Sequence, residues 1–467
     1  MKITFFGAAQ DVTGSRHLIE VEDYKLLLDC GMYQGKRSIA NERNKALPFA
    51  AKDINAVILS HGHLDHCGAL PILVRDGFRG RIYCTGATAD VARCILEDSG
   101  ALQEQIANDY NRHHKGQDRV ESVYTLEDAR RVFSYFEPHP YYRISHEWIT
   151  LNDHIRFKLY DAGHILGSEV IVLEIKEEGI TKTLAFTGDL GRVDVPILHA
   201  REYIEEDVQA MLMECTYGNS NHRPISEVKL DLQRAIEDAV RLKSKIIVPA
   251  FSLGRTQELI YILHRMTDMH EIPSIPIYID SPLAESLTDV FSRHKEDFND
   301  EVVRDFERLG ESPFAFKNLV YTHSVEESKM INNVEGPCMI ISASGMCEGG
   351  RILHHLNNGI GNPNNIILIT GYQAENTLGR KIKEGASPVM ILGESHEVRA
   401  KVMVLDELSA HADQASLLAY LGHTSGIEHL FLVHTEMPQA TIFKNTVESL
   451  HPNIDVNIPT LGEQVEL

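Results

Sequence analysis

A chain of 467 residues, 43% apolar and 24% charged, has the composition of a globular protein with room for two or three domains, not that of a disordered or membrane chain. Its formal net charge of −22 is opposite in sign to that of a protein holding nucleic acid over a basic face. The seven cysteines are odd in number, scattered and never in Cys-x-x-Cys spacing, which argues against a disulfide framework or a zinc ribbon. With no apolar run of about 18 residues and no signal-like amino-terminal segment, the expectation is a cytoplasmic protein that does not enter a membrane.

In chain order, apolar residues alternate or cluster over 2–7, 16–21 and 24–28 with turn signals between them, which predicts a meander of strands closed by Asp29. A further strand from Lys52 to Leu59 leads into Ser60-His61-Gly62-His63-Leu64-Asp65-His66-Cys67-Gly68. Side chains alternate along a strand, so His61 and His63 can point the same way, while a turn at Leu64 carries Asp65 and His66 to a second point nearby. One short segment can therefore serve two metals, and burying three imidazoles and a carboxylate without any would leave costly unpaired polar groups.

A helix over 69–74, a strand over 81–84 and helices over 89–113 and 126–136 follow, as covers on a sheet. Strands resume at 155–160, 169–175 and 182–187, with His164 and Asp189 in the glycine-bearing turns Asp161–Ser168 and Phe186–Gly191. Most of the 24 histidines are ordinary surface or core residues, and an aspartate in a turn commonly bonds only its own backbone. These two fall together at successive strand ends, downstream of a segment with too few donors for two tetrahedral ions, and are read as ligands, Asp189 as a candidate bridge.

From about Glu214 strand and helix signals alternate: strands at 245–249, 275–280, 337–342, 366–370 and 389–392, helices at 255–266 and 283–294. This pattern predicts a second α/β domain built on a parallel sheet. A strand at 398–405 then precedes Ser409-Ala410-His411-Ala412-Asp413, and a strand at 430–433 leads into His434-Thr435-Glu436. In the second domain, Ser344 and Gly345 follow an apolar strand and precede a helix, where backbone N–H groups can form an anion nest. Arg255 stands at a similar turn and can reach a phosphate or form a salt bridge. The run Gly379–Lys383 is the most basic, and such a run is usually a solvated face. Residues 208–392 hold 18 basic against 24 acidic side chains, so the expectation is that affinity for a polyanion comes from a cleft between domains and from the metals, or that binding outside the site is weak.

Asp29, the His-x-His-x-Asp-His segment, His164 and Asp189 resemble, in order and spacing, the metal motifs of the metallo-β-lactamase superfamily. The segments Glu214–Gly218, Ser252–Leu259, Ser409–Asp413 and Leu432–Glu436 are similar to those of its β-CASP branch, which includes the endonuclease subunit of the cleavage and polyadenylation specificity factor and bacterial ribonucleases. The resemblance implies an α/β fold, an αββα sandwich formed by 1–207 and 393–467 with a β-CASP domain inserted at 208–392. It implies two zinc ions, one held by His61, His63 and His164, the other by Asp65, His66 and His434, with Asp189 shared; manganese suits the same donors. Asp29 would support the histidine loop, His411 would be the general acid, and Glu214 would raise and orient it.

Within this branch a histidine at the position of His434 goes with members acting on RNA. The implied activity is zinc-dependent hydrolysis of RNA phosphodiester bonds, endonucleolytic with exonuclease action as a further capacity; the implied partner is RNA, and a homodimer is compatible. Thr435 departs from the pattern, standing where many relatives have glycine. Two alternatives are a catalytically silent scaffold of the same fold, against which the full ligand set argues, and a small ester or thioester hydrolase, against which the insertion argues.

Overall fold

The computed structural model describes residues 1–35, 37–114, 119–140, 146–309, 312–371, 373–405 and 409–467. The chain folds as two units: Met1–Val193, His199–Asn221 and His411–Leu467 form the first, Asp194–Leu198 and His222–Ala410 the second.

The first unit is an αββα sandwich, and its layering follows from strand alternation. One seven-stranded sheet runs in the order Gln464–Glu466, Lys2–Phe5, His17–Val21, Tyr24–Leu28, Ala56–Ile58, Arg81–Thr85, Phe136–His139. The other runs Asp455–Asn457, His429–Val433, Ala210–Glu214, Ile180–Phe186, Glu169–Glu177, Ile155–Asp161, Ile149–Thr150. In the strand Tyr24–Leu28, Leu26 and Leu28 enter the core between the sheets, packing with Phe157, Ile171 and Phe186, whereas Leu27 faces the helical layer with Leu70, Leu73 and Leu96. The opposite sheet does the same. Leu212 and Phe431 point inward, and Met213 and Leu432 meet the helices Gln414–His423 and Met437–Leu450 through Leu417 and Phe443. Period-two patterning with both faces apolar requires cover on both sides of each sheet, and this arrangement supplies it.

The helix over Gly86–His113 begins at Thr85, whose hydroxyl accepts the N–H of Thr88 at 3.1 Å. The expected helix over 126–136 is shorter, Leu126–Val132, and gives way to the strand Phe136–His139.

The second unit carries a six-stranded sheet in the order Leu319–Tyr321, Ile277–Ile279, Cys338–Ser342, Lys245–Pro249, Ile366–Thr370, Lys401–Leu405, with every neighbouring pair parallel. Cys338–Ser342 and Ile366–Thr370 are buried along their whole length, as continuous apolar strands covered on both faces must be. Two sequence expectations change here. Val389–Ile391 joins Glu394–His396 in a separate antiparallel pair. Lys401–Leu405, expected to lie beyond the inserted domain, pairs with Ile366–Thr370, because its apolar residues extend this sheet's face. Among the described residues, no helix is long and apolar enough to cross a membrane.

Candidate metal centre

All the predicted ligands lie in the first unit, at strand ends. The strand Ala56–Ile58 runs into His61 and His63, and a short helix, Leu64–Cys67, turns Asp65 and His66 back toward them. Close packing of glycines makes this turn. A β-carbon on Gly31 would fall 1.6 Å from the carbonyl oxygen of Asp65, so the histidine segment lies directly against that backbone. His164 arrives after Ile155–Asp161, its N–H donating to Ser168 Oγ at 3.0 Å. Asp189 follows Ile180–Phe186 through Gly188, whose φ of +52° brings the chain against Ser60. His434 follows His429–Val433 with a φ of +48°, a left-handed conformation that a residue with a β-carbon adopts only under constraint.

The donors converge. His61 Nε2 is 3.0 Å from His63 Nδ1, and His164 Nε2 is 3.3 Å from the same nitrogen. Asp189 Oδ2 lies 3.5 Å from His61 Nε2, 3.5 Å from His164 Nε2 and 3.4 Å from His66 Nε2, and its Oδ1 3.5 Å from His434 Nδ1, so the carboxylate faces imidazoles of both halves of the centre. His434 Nε2 is 3.5 Å from Asp65 Oδ2. His61, His63, His164 and Asp189 thus form one group that could hold an ion, Asp65, His66 and His434 another, and Asp189, His411 and His434 a third that shares two of these residues.

A metal fits these residues on two counts. Three imidazole nitrogens crowd together where at most some can be mutually hydrogen-bonded, and the buried His66 Nε2 and Asp189 Oδ1 have no hydrogen bond among the described residues. Burial also holds the imidazoles of His61, His63 (at about 4) and His164 below the ordinary histidine value, so at neutral pH they are uncharged lone-pair donors. His66 differs: burial works against its charged form, but Asp189 and Asp29 outweigh it and raise the imidazole well above the usual value in the metal-free protein. Asp189 is held well below the carboxylate range, its burial outweighed by His434, His66 and His61.

Around the donors stands a frame of hydrogen bonds. Asp29, with no exposed surface and a φ of +59°, accepts from His66 Nδ1 at 2.6 Å, Ser60 Oγ at 3.0 Å, Ser15 Oγ at 3.1 Å and the Ser60 N–H at 2.8 Å. Ser60 Oγ in turn lies 3.0 Å from His61 Nδ1. Sequence reasoning missed Ser60 and Ser15, because a serine announces nothing until the fold puts it beside an imidazole.

His411 reaches the centre from the segment before the helix Gln414–His423. Asp413 caps that helix, accepting from Ser416 N at 2.9 Å, so His411 is not engaged as a cap. Its Nδ1 stands 3.1 Å from Glu214 Oε1 and 4.0 Å from Asp189 Oδ2, and its ring lies 4.5 Å from that of His164. Burial alone would lower its pKa; Glu214 outweighs it and lifts the value to about 9.

Ser344, Gly345 and Arg255 lie in the second unit, at the carboxyl ends of its parallel strands, where ligands of such sheets bind. Much of the expected nest is already used: Ser344 N donates to Gly349 O at 3.2 Å, Cys347 N to Ser344 O at 3.1 Å and Glu348 N to Ser344 Oγ at 3.0 Å. The helix there begins at Ile352, later than Glu348. Arg255 is buried and its Nη1 is ion-paired to Glu258 one helical turn on.

A sandwich of two mixed sheets bearing this centre defines a metal-dependent hydrolase. Residues 18–186 match the metallo-beta-lactamase superfamily domain, 256–382 the Beta-Casp domain and 395–459 the Zn-dependent metallo-hydrolase RNA specificity domain. The chain is 35% identical, over 93% of its length and 93% of the relative's, to ribonuclease TTHA0252 of Thermus thermophilus. It is 31% identical, over 95% of each, to an RNase J-like protein of Methanocaldococcus jannaschii. To endoribonuclease ysh1 of Schizosaccharomyces pombe it is 28% identical, over 97% of this chain but only 57% of that protein. A crystal structure of a protein of unknown function from Enterococcus faecalis shares the fold, with a TM-score of 0.53 at 12% identity over 100% of this chain and 99% of that one. The chain belongs to the β-CASP branch of the metallo-β-lactamase superfamily.

Proposed function

We propose that this protein is a ribonuclease that holds two zinc ions and hydrolyses RNA phosphodiester bonds, chiefly internal ones. The observation carrying this reading is the juxtaposition of seven converging donors with an eighth group, the carboxylate-paired imidazole of His411, at the same centre.

In this reading His61, His63 and His164 would hold one ion and Asp65, His66 and His434 the other, with Asp189 available to both. When bound, a pair of divalent ions supplies Lewis acidity that lowers the pKa of an attacking water and neutralises charge on the phosphate oxygens. The chain's own residues do the rest. Asp29 and Ser60 fix the ring orientations of His66 and His61, which spares reorganisation during the reaction. Glu214 keeps the His411 imidazole protonated and aimed, so that its Nε2 can deliver a proton to the leaving oxygen. Ser344, Gly345 and Arg255 are the residues of the second unit through which the RNA would be held; with its guanidinium engaged by Glu258, Arg255 contributes less than an unpaired arginine would.

The test uses purified protein with added zinc, an end-labelled RNA and a DNA of the same sequence. Cleavage of the RNA into internal fragments is expected. Inertness toward both polymers, together with turnover of a thioester or lactone, would defeat the proposal.

A further inference from the structure

The ligating nitrogen of a metal-bound histidine is set by what its other nitrogen bonds, and two imidazoles of this centre, His61 and His66, follow that rule. His61 has Ser60 Oγ at 3.0 Å from Nδ1, and His66 has Asp29 Oδ2 at 2.6 Å from Nδ1; each presents Nε2 to the centre. For His434 the corresponding group is Thr216. Its Oγ lies 3.1 Å from His434 Nδ1 and 3.2 Å from the carbonyl oxygen of His434. A hydroxyl has one proton and two lone pairs. With the Thr216 proton donated to that carbonyl, the Thr216 oxygen accepts from His434 Nδ1–H, and the same Nδ1 lies farther, at 3.5 Å, from Asp189 Oδ1. Nε2 is then the bare nitrogen, and it is the one facing Asp65.

The second bond matters because of the backbone. At a φ of +48° His434 needs its neighbours to hold it in the left-handed region. Its N–H donates to Ala8 O at 2.7 Å, Thr216 fixes its carbonyl, and Thr435 Oγ donates to Cys215 O at 2.8 Å. Thr216 is buried, and the parallel pairing of Ala210–Glu214 with His429–Val433 brings it within hydrogen-bond reach of His434. Its N–H donates to Glu214 Oε2 at 3.0 Å, which ties it to the carboxylate that serves His411.

We infer that Thr216 is the positioning residue of His434: one hydroxyl selects the Nδ1–H tautomer and pins the left-handed backbone, so that Nε2 is presented to a metal. The inference rests on the proposed role of His434 as a ligand. Zinc affinity of the full-length protein is measured by competition with a chromophoric chelator for wild type, Thr216→Val, Thr216→Ser and His434→Ala, alongside thermal melting. Thr216→Val, which keeps the shape and removes the hydroxyl, is expected to weaken one of two zinc sites by about 10- to 100-fold with little change in melting. Thr216→Ser is expected to restore it, and His434→Ala to lose that ion. Wild-type zinc affinity in Thr216→Val, with an ion lost in His434→Ala, overturns the inference alone; two ions retained in His434→Ala overturn the ligand assignment beneath it. Should Thr216→Val fail to fold, ¹⁵N-histidine NMR of the wild-type protein decides. A proton on Nδ1 and a zinc-induced shift at Nε2 support the inference, and the opposite tautomer overturns it.

Discussion

His411 Nδ1 lies 3.1 Å from Oε1 of Glu214, a carboxylate with no exposed surface that also accepts the N–H groups of Leu190 and Thr216. Three donors on one buried carboxylate fix its position, and through it the direction of the imidazole. Replacing Glu214 by Gln removes the charge that keeps His411 protonated and leaves the shape. A general acid works only while protonated, so activity falls as pH rises through its pKa. Wild-type His411 is raised to about 9 in the metal-free protein, and bound cations would draw it down in both forms. The alkaline limb of kcat against pH is therefore expected at lower pH in Glu214→Gln than in wild type; coincident limbs would refute the pairing.

His411→Ala is expected to bind metal as wild type does and to lose about 10²- to 10⁴-fold in kcat, the usual contribution of a positioned acid. Zinc content by elemental analysis separates this from ligation. If an ion leaves with the imidazole, His411 is a ligand instead.

Asp29→Asn keeps the size of the side chain but offers His66 Nδ1–H a weaker acceptor and presents an amide where Ser15 and Ser60 now donate. Metal affinity is expected to drop by about 10- to 100-fold without loss of any donor. Chelator titration measures it, and unchanged affinity would mean that Ser60 alone orients the loop.

Gly31→Ala tests the frame from the backbone side. The added methyl would meet the Asp65 carbonyl at 1.6 Å, and neither atom belongs to a flexible side chain. The histidine segment has to shift, at a cost of about 1–3 kcal/mol or more. Zinc content is expected to fall together with melting temperature; a fall in melting alone would show that the segment moves as a body with its geometry intact.

In the second unit, Asp280 accepts from Ser328 Oγ at 2.5 Å, Arg351 Nη1 at 2.6 Å, His355 Nε2 at 2.6 Å and Thr322 Oγ. Burial would raise its pKa, but these donors outweigh it and hold the carboxyl far below the usual value. A depressed folded value means that the stabilisation is complete above the unfolded pKa of about 3.9 and is lost as pH falls toward the folded one. Asp280→Asn is expected to cost about 3–5 kcal/mol at neutral pH and to flatten the acid dependence. Hydrogen exchange of Ile277–Ile279 and Cys338–Ser342 reads both; parallel acid limbs in the two proteins would contradict the assignment.

Much of the centre was legible in the chain because ligand chemistry restricts residue type. Five imidazoles and two carboxylates at strand ends are costly to bury unless they bind something, and the structure brings all seven together. The frame was less legible. Ser60 and Thr216 sit inside segments already singled out, yet a hydroxyl becomes meaningful only when a partner stands within hydrogen-bond reach, about 3 Å away. Arg255 illustrates the limit for charge: the same Gly-Arg turn suits a phosphate or a glutamate one turn along, and only packing decides. Lys401–Leu405 shows it for strands, since an apolar run states that it is buried but not in which sheet.

The parallel pairing of Ala210–Glu214 with His429–Val433 has a consequence for how this architecture could diversify. The stretch His222–Ala410 leaves and re-enters the first unit between these two adjacent strands, so to the sheet it is one loop. Lengthening such a loop is thermodynamically mild, each doubling adding only about 0.6 kcal/mol of closure entropy. The guest, His222–Ala410, is therefore expected to be exchangeable across evolution or by grafting, provided that the two strands keep their register and the flanking segments that carry Thr216 and His411 stay with the first unit.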